Sequence, residues 1–369
     1  MTAGLLRVLR IYHSGVVTAY RQRDREMRAR GVDLTLVTAH RWNEGGRDVA
    51  LDPDGDDFVV AARTLGRHPY RFVYDPRPIW RLLRAGRFEV IDVHEEPASL
   101  AVGEVMVLRR LLQPGVPLTL YSAQNLPKRY PPPFRWIERI ALRSAAAVYC
   151  CNEAAARILR DKGFAGALPV LGLGVDVERF SPQEQPIPTS GPLHVGYVGR
   201  LEERKGVRVL LDAVAAVQGV TLDFVGDGSD RDHLVQEVAR LGLGERVGVR
   251  PFVANDELPG VYRQFDVICI PSLATPGWIE QFGRVAVEAM AAGVAVVASD
   301  LGSLPEVVDD AGILVPAGDV GALAAALRRL ADDAELRADL ARRGRHRAER
   351  YSWPAIAEAH HGVYTQALA

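Results

Sequence analysis

The sequence predicts an α/β protein of two doubly wound parallel-sheet domains, and three observations carry that prediction. Short β-branched runs alternate with helical stretches along nearly the whole chain, the pattern of a parallel sheet covered on both faces. The pattern breaks at Ser181-Pro-Gln-Glu-Gln-Pro-Ile-Pro-Thr-Ser-Gly-Pro192, which is Pro-rich, polar and aperiodic, and it restarts at Leu193. The 369 residues suffice for two full cores, at roughly 100–200 residues per domain.

In the first half, strands are expected at Arg7–Tyr12, Asp33–Thr38, Val90–Val93, Leu118–Tyr121 and Ala146–Cys150. Helices are expected between them near 17–30, 97–112, 134–144 and 152–162. After the linker, strands follow at Leu193–Val198, Thr221–Val225, Arg246–Arg250, Val267–Ile270, Val294–Ala298 and Ile313–Val315. Helices fill the gaps near 205–217, 229–241, 256–264, 283–292 and 319–331. The tail reads as helix over 333–350 and again from Ser352, an N-cap with Pro354 two residues on. The expected domains are thus 1–180, with 352–369 returning to it, a linker at 181–192, and 193–351. Doubly wound sheets bind ligands beyond the carboxyl ends of their strands, so two such edges would form a cleft for two substrates.

Composition bounds the chemistry. Apolar content of 48% and charged content of 25% are ordinary for a globular chain. Cys150, Cys151 and Cys269 have neither disulfide-framework nor zinc spacing, so buried free thiols in a reducing cytoplasm are expected. Leu5–Tyr12 is too short for a signal peptide, and no apolar run approaches the ~20 residues that span a bilayer. The net charge of −1 hides an asymmetry: residues 1–180 hold 27 Lys and Arg against 20 Asp and Glu, and residues 181–369 hold 18 against 26. The basic half would suit an anionic partner, a membrane inner face or an acceptor; compositional drift is the alternative.

Three motifs point to chemistry. A strand ending at Pro271-Ser272 leads through a loop to Glu280-Gln281-Phe282-Gly283-Arg284-Val285 and into a helix carrying Glu288. The 282–285 amides would stand at a helix N-terminus, where anions bind, and Gly283 would let a ligand approach the backbone. Eight residues separate Glu280 from Glu288, ~12 Å along the axis if the segment were fully helical. The carboxylates of a glycosidase lie only about 5–9.5 Å apart, so the spacing argues against a hydrolytic pair and suits a grip on two ends of a long ligand. Second, Gly199-Arg200-Leu-Glu-Glu-Arg204-Lys205-Gly206 follows a strand; a guanidinium and an ammonium there suit a diphosphate without a metal ion. Third, Val225-Gly226-Asp227-Gly228 ends a strand in a turn open either to a nucleotide or to nothing but its own backbone.

In this order the three motifs resemble the family 4 glycosyltransferases of the GT-B fold: two Rossmann-like doubly wound domains facing across a cleft. The Glu-x7-Glu pattern falls on Glu280 and Glu288, the basic pair on Arg200 and Lys205, and Gly174-Val175-Asp176…Phe180 resembles the interdomain signature. The resemblance implies transfer of a hexose-type sugar from a nucleotide-diphosphate donor, UDP- or GDP-linked, to a hydroxyl of a glycan, glycolipid or natural product. It implies retention of configuration and no cofactor or metal. Glu288 would hold the ribose; Glu280 and the 282–285 backbone would hold sugar and phosphate; Arg200 and Lys205 would stabilise the leaving diphosphate. His94, after Val90-Ile-Asp-Val93, would stand near the donor sugar. Gly15, Gln124 and Asn125 would lie on the acceptor side, although His13-Ser14-Gly15-Val16-Val17 is poorer in glycine than the family's loop.

Other signals are set aside. Asp52-Pro-Asp54-Gly-Asp56-Asp57 has a D-x-D spacing but reads as a solvated turn. Arg21, Arg25 and Arg28 share a helix face that would meet solvent or anionic lipid. Lys128-Arg129-Tyr130 through Trp136 mixes basic and aromatic residues; a near-neutral chain argues against nucleic acid, and an acceptor-side loop at the cleft, together with Gln124 and Asn125, is the better reading. The competing functions are a nucleotide-sugar epimerase of the same fold and a non-catalytic sugar-binding relict.

Overall fold

The computed structural model describes residues 5–44, 47–52, 55–181 and 191–369. Residues 182–190, most of the expected linker, lie outside the described residues, as do Pro53 and Asp54 of the acidic turn. The chain divides into two compact units, Met1–Gly172 with Trp353–Ala369, and Leu173–Ser352. The division precedes residue 180 because Val175 bridges to Ser352 and Phe180 packs edge-on against Tyr262, 5.5 Å between ring centroids.

The first unit holds six parallel strands: β1 (Leu6–Ile11), β2 (Val32–Ala39), β3 (Val59–Ala62), β4 (Val90–Val93), β5 (Leu118–Ser122) and β6 (Ala145–Cys150). Their order is β6-β5-β4-β1-β2-β3. The second unit holds β7 (Leu193–Val198), β8 (Val220–Val225), β9 (Val247–Arg250), β10 (Val267–Ile270), β11 (Ala295–Ser299) and β12 (Gly312–Val315). Their order is β9-β8-β7-β10-β11-β12, again all parallel. Both are the 3-2-1-4-5-6 arrangement of a dinucleotide-binding sheet, and the order reverses between β1 and β4 and between β7 and β10. Such sheets bind ligands beyond the carboxyl ends of the strands at the reversal, and the basic motif and the Glu280 loop follow β7 and β10, with Gly226-Asp227-Gly228 after the neighbouring β8.

The central strands Val90-Ile-Asp-Val93 and Val267-Ile-Cys-Ile270 are wholly buried, as strands covered on both faces must be. Helix starts are fixed by side chains: Ser99, Asn152, Asp319 and Asp333 each accept a backbone N–H three residues on. The last helix, Trp353–Leu368, buries Ala357 and Tyr364 in one cluster of the first unit and Val363 in another. The three cysteines are buried thiols rather than members of a disulfide.

Three local features depart from expectation. The helix expected over 17–30 is two 3-10 turns, His13–Val16 and Thr18–Arg21, before an α-helix at Gln22–Ala29. The β-branched Val16-Val17-Thr18 run resists an earlier α start. The helix Pro76–Ala85 was hidden by Pro76 and Pro78, although Pro76 at its first position under the Asp75 cap is a start signal. The edge strand β3 has only four residues and follows the acidic turn.

Candidate active site

In the second unit, the loops after β7 and β10 meet. The Lys205 Nζ donates to Glu280 Oε2 at 2.8 Å, and Ser272 Oγ donates to the same oxygen at 3.0 Å. The Lys205 ammonium also lies 4.5 Å from the Trp278 ring centroid, beside the Arg204 guanidinium at 4.8 Å. Glu202 joins Arg200, at 2.5 Å, to Arg204, at 2.7 Å. Three cations therefore face two carboxylates at the switch point, a net positive site. Arg200, Lys205 and Glu280, singled out in the sequence, lie in this cluster, and Ser272, Trp278, Glu202 and Arg204 complete it.

The helix carrying Glu288 spans Arg284–Ala291 and begins at Gly283, whose φ of 80° is left-handed. A Cβ there would also sit 2.5 Å from Leu304 Cδ2, so both backbone and space call for glycine. Phe282 turns its ring inward, edge-on to Tyr351, and Val285 packs against the same core. Thus this segment can offer its backbone to a ligand while Phe282 anchors it. Glu288 is separate from the Lys205 cluster: Tyr262 OH donates to its Oε2 at 2.6 Å. Burial raises the Glu288 pKa, and the Tyr262 bond and Arg284 offset part of that. Gly226 and Gly228 have a packing role: a Cβ on either would stand 1.8 Å from Gly199 O or 2.3 Å from Leu201 O. These loop-on-loop contacts account for both glycines.

In the first unit, the loops after β1 and β4 meet in the same way. His13 N donates to Glu95 Oε1 at 2.8 Å, and His13 Nδ1 lies 2.5 Å from Glu95 Oε2. Tyr74 OH donates to Glu95 Oε1 at 2.8 Å, and Ser14 Oγ to Glu44 at 2.7 Å. Burial opposes a charge on His13, but contact with Glu95 prevails and raises its pKa. Neither His13 nor Glu95 was singled out by sequence; the signal was their shared place after the two strands flanking the reversal. Gly15 faces inward, with a Cβ position 2.9 Å from Thr38 Oγ1. Gln124 is held on both ends, accepting from Tyr70 OH at 3.0 Å and donating to Leu126 O at 2.7 Å. Asn125 is buried beside it.

His94 is buried, stacked on Tyr121 at 3.8 Å, with Nδ1 2.8 Å from Tyr149 OH. Donor counting fixes its tautomer. Asp92 accepts from Tyr149 OH at 3.0 Å, Thr119 Oγ1 at 2.9 Å and Tyr364 OH at 2.8 Å, and pairs with Arg10. Tyr149 has one proton and spends it on that carboxylate, so it must accept from His94 Nδ1–H. Burial, reinforced by Arg10, holds the His94 pKa well below its ordinary value. The ring is therefore neutral, with the lone pair on Nε2.

The family model described as "Glycosyltransferase Family 4" matches residues 13–179, and that described as "Glycosyl transferases group 1" matches 179–347. The 2-deoxystreptamine glucosyltransferase of Streptomyces kanamyceticus is 32% identical over 290 residues, 70% of this chain and 73% of that one. The D-inositol 3-phosphate glycosyltransferase of Saccharomonospora viridis is 34% identical over 225 residues, 55% of this chain and 51% of its own. The chain spans about half the length of that relative and of its Salinispora tropica counterpart. Among solved structures, Anabaena HepE in complex with UDP matches with TM-score 0.77 at 20% identity, over 98% of this chain and 99% of that one. Sucrose-phosphate synthase from Thermosynechococcus elongatus matches with TM-score 0.71 at 22% identity, over 98% of each. These two likenesses show the fold, two Rossmann-like units of the GT-B class. The chain belongs to the family 4 glycosyltransferases.

Proposed function

We propose that this chain is a retaining, metal-independent glycosyltransferase that moves a hexose from a UDP-sugar to a hydroxyl acceptor. The observation that supports it best is the meeting of Lys205 with Glu280 at the β7/β10 reversal, beside Arg200 and the glycine-led helix at Arg284. On this reading Lys205 and Arg200 exchange their carboxylate partners for the diphosphate, where they neutralise the charge that develops as it leaves. Glu280, freed from Lys205, and the backbone of 282–285 hold the sugar and the distal phosphate. Glu288, oriented by Tyr262, accepts from the ribose diol. The acceptor oxygen bonds to the anomeric carbon on the face the phosphate vacates, and its proton passes to that phosphate.

The second unit is thus the donor side and the first unit the acceptor side. UDP is favoured over other nucleotides because the structural neighbour HepE is described with UDP, with UDP and glucose, and with UDP-glucose. Relatives named for 2-deoxystreptamine and D-inositol 3-phosphate support a polyhydroxylated acceptor.

Calorimetric titration with UDP tests the site. The unaltered chain should bind, and Lys205→Ala and Glu288→Ala should each weaken binding by about tenfold or more, the effect of losing a charged hydrogen bond. Unchanged affinity in both variants would refute these roles. Retention is read separately, from the anomeric proton of the product by NMR.

A further inference from the structure

We propose that the first unit docks peripherally on an anionic lipid surface through the outer faces of two neighbouring helices, Leu100–Leu112 and Phe134–Ser144. The helices are in contact and run side by side: the Cβ position of Gly103 is 3.3 Å from Ile137 Cδ1, and Ser144 Oγ lies 3.6 Å from Met106 Sδ. Their outer faces expose four large apolar side chains, Val107 (59%), Leu111 (64%), Trp136 (57%) and Ile140 (57%). Val107 and Leu111 continue the line of Gly103 at one and two turns, and Trp136 and Ile140 are one turn apart on either side of Ile137. Of the ten exposed large hydrophobics among the described residues, four lie on this pair, so they form a patch rather than scatter.

Charge identifies the occupant. Arg110, Arg135, Arg139 and Arg143 are exposed on the same two helices. Each helix has a single acid, and each acid is committed inward: Glu138 to Lys162 at 2.5 Å and Glu104 to the Tyr74 N–H at 2.8 Å. An apolar centre with Trp and a purely cationic rim is the composition of a helix lying in a membrane interface. A second copy of the same face would set arginine against arginine. No helix among the described residues is long and apolar enough to cross a membrane, so the contact is superficial.

The row expected for such a role, Arg21, Arg25 and Arg28, is already engaged. Arg21 and Arg25 reach Asp56 at 3.1 and 2.8 Å, and Arg28 reaches Asp57 at 3.2 Å. The acidic turn set aside in the sequence is the counterpart of that row. Arg110, Arg135, Arg139 and Arg143, by contrast, stay exposed on the rim of the patch.

Vesicle co-sedimentation of the full chain tests this. Vesicles of one part phosphatidylglycerol to two parts phosphatidylcholine should retain the protein, less so at high salt, and pure phosphatidylcholine should not. Trp136→Ala with Ile140→Ser should lower partitioning by about tenfold or more. Arg139→Glu with Arg143→Glu should abolish it, since each charge near the surface contributes about fivefold. Arg328→Glu, an exposed charge on the second unit, should change nothing, and circular dichroism confirms that each variant is folded. Absence of retention on the anionic vesicles, or retention untouched by both double variants, overturns the proposal. So does a dimer, seen by light scattering, that the Trp136 variant dissolves, because the face would then belong to a second copy.

Discussion

A single proton decides what His94 can do. The carboxylate of Asp92 takes the Tyr149 proton, which obliges Tyr149 to accept from His94 Nδ1 and leaves Nε2 as an acceptor. A neutral imidazole with that lone pair can accept a hydrogen bond from a hydroxyl and has no proton on Nε2 to give. Long-range nitrogen–proton NMR should show a pyrrole-like Nδ1 and a pyridine-like Nε2 from pH 6 to 8. In Tyr149→Phe the opposite tautomer should appear, since nothing then holds the Nδ1 proton. A pyrrole-like Nε2 in the unaltered chain would contradict the donor count. The family resemblance offered His94 as a residue near the donor sugar, but its tautomer was not legible in the sequence. Tyr149, Thr119 and Tyr364 come from three other elements, and one hydroxyl among them sets the tautomer. By contrast Arg200, Lys205, Glu280 and Glu288 were readable, because each lies within a few residues of a strand end or helix start on the sequence itself.

At the scale of elements, one helix faces two environments. Leu100–Leu112 buries Val102, Val105 and Leu108 under the sheet and presents Val107 and Leu111 outward. Glu104, between these faces, accepts the Tyr74 N–H, and burial raises its pKa from 4.5 to about 7. Below pH 4.5 the carboxyl is protonated in both folded and unfolded chains. Between 4.5 and 7 the unfolded chain loses the proton first, so folding stability falls as pH rises, and the loss is complete above 7. Glu104→Gln keeps the acceptor and removes the charge. It should therefore gain about 1–2 kcal/mol on the unaltered chain between pH 4.5 and 8, a figure reduced for partial exposure. Urea unfolding at both pH values measures it, and an equal difference at each would rule the explanation out. The same helix shows why elements were legible where they were. Its apolar period and length announced it, whereas β3, four residues at a sheet edge, and Pro76–Ala85, headed by two prolines, offered the pattern too little length or the wrong residues.

For the whole molecule, the chain leaves the first unit at Gly172, builds the second, and returns at Trp353. The return is energetically substantial. Ile356, Ala357, Val363 and Tyr364 are all buried, and each large side chain contributes about 1.5–3 kcal/mol. That sum is comparable to the 5–15 kcal/mol by which a domain is stable, so the first unit depends on a helix encoded at the far end of the chain. Truncation after Ser352 should therefore lower or abolish one calorimetric transition. If the second unit holds the donor, UDP at a hundred times its dissociation constant should raise the other transition, by about 2.7 kcal/mol of binding free energy. The two perturbations act on different units and should move different peaks. A UDP shift in the peak that truncation removes would place the nucleotide on the first unit and invert the donor assignment. A UDP shift in the peak that survives truncation would locate the nucleotide within Leu173–Ser352 without recourse to any acceptor. Arg200→Ala and Lys205→Ala should then weaken that shift, because the cationic cluster at the β7/β10 reversal lies within the unit that the surviving peak reports.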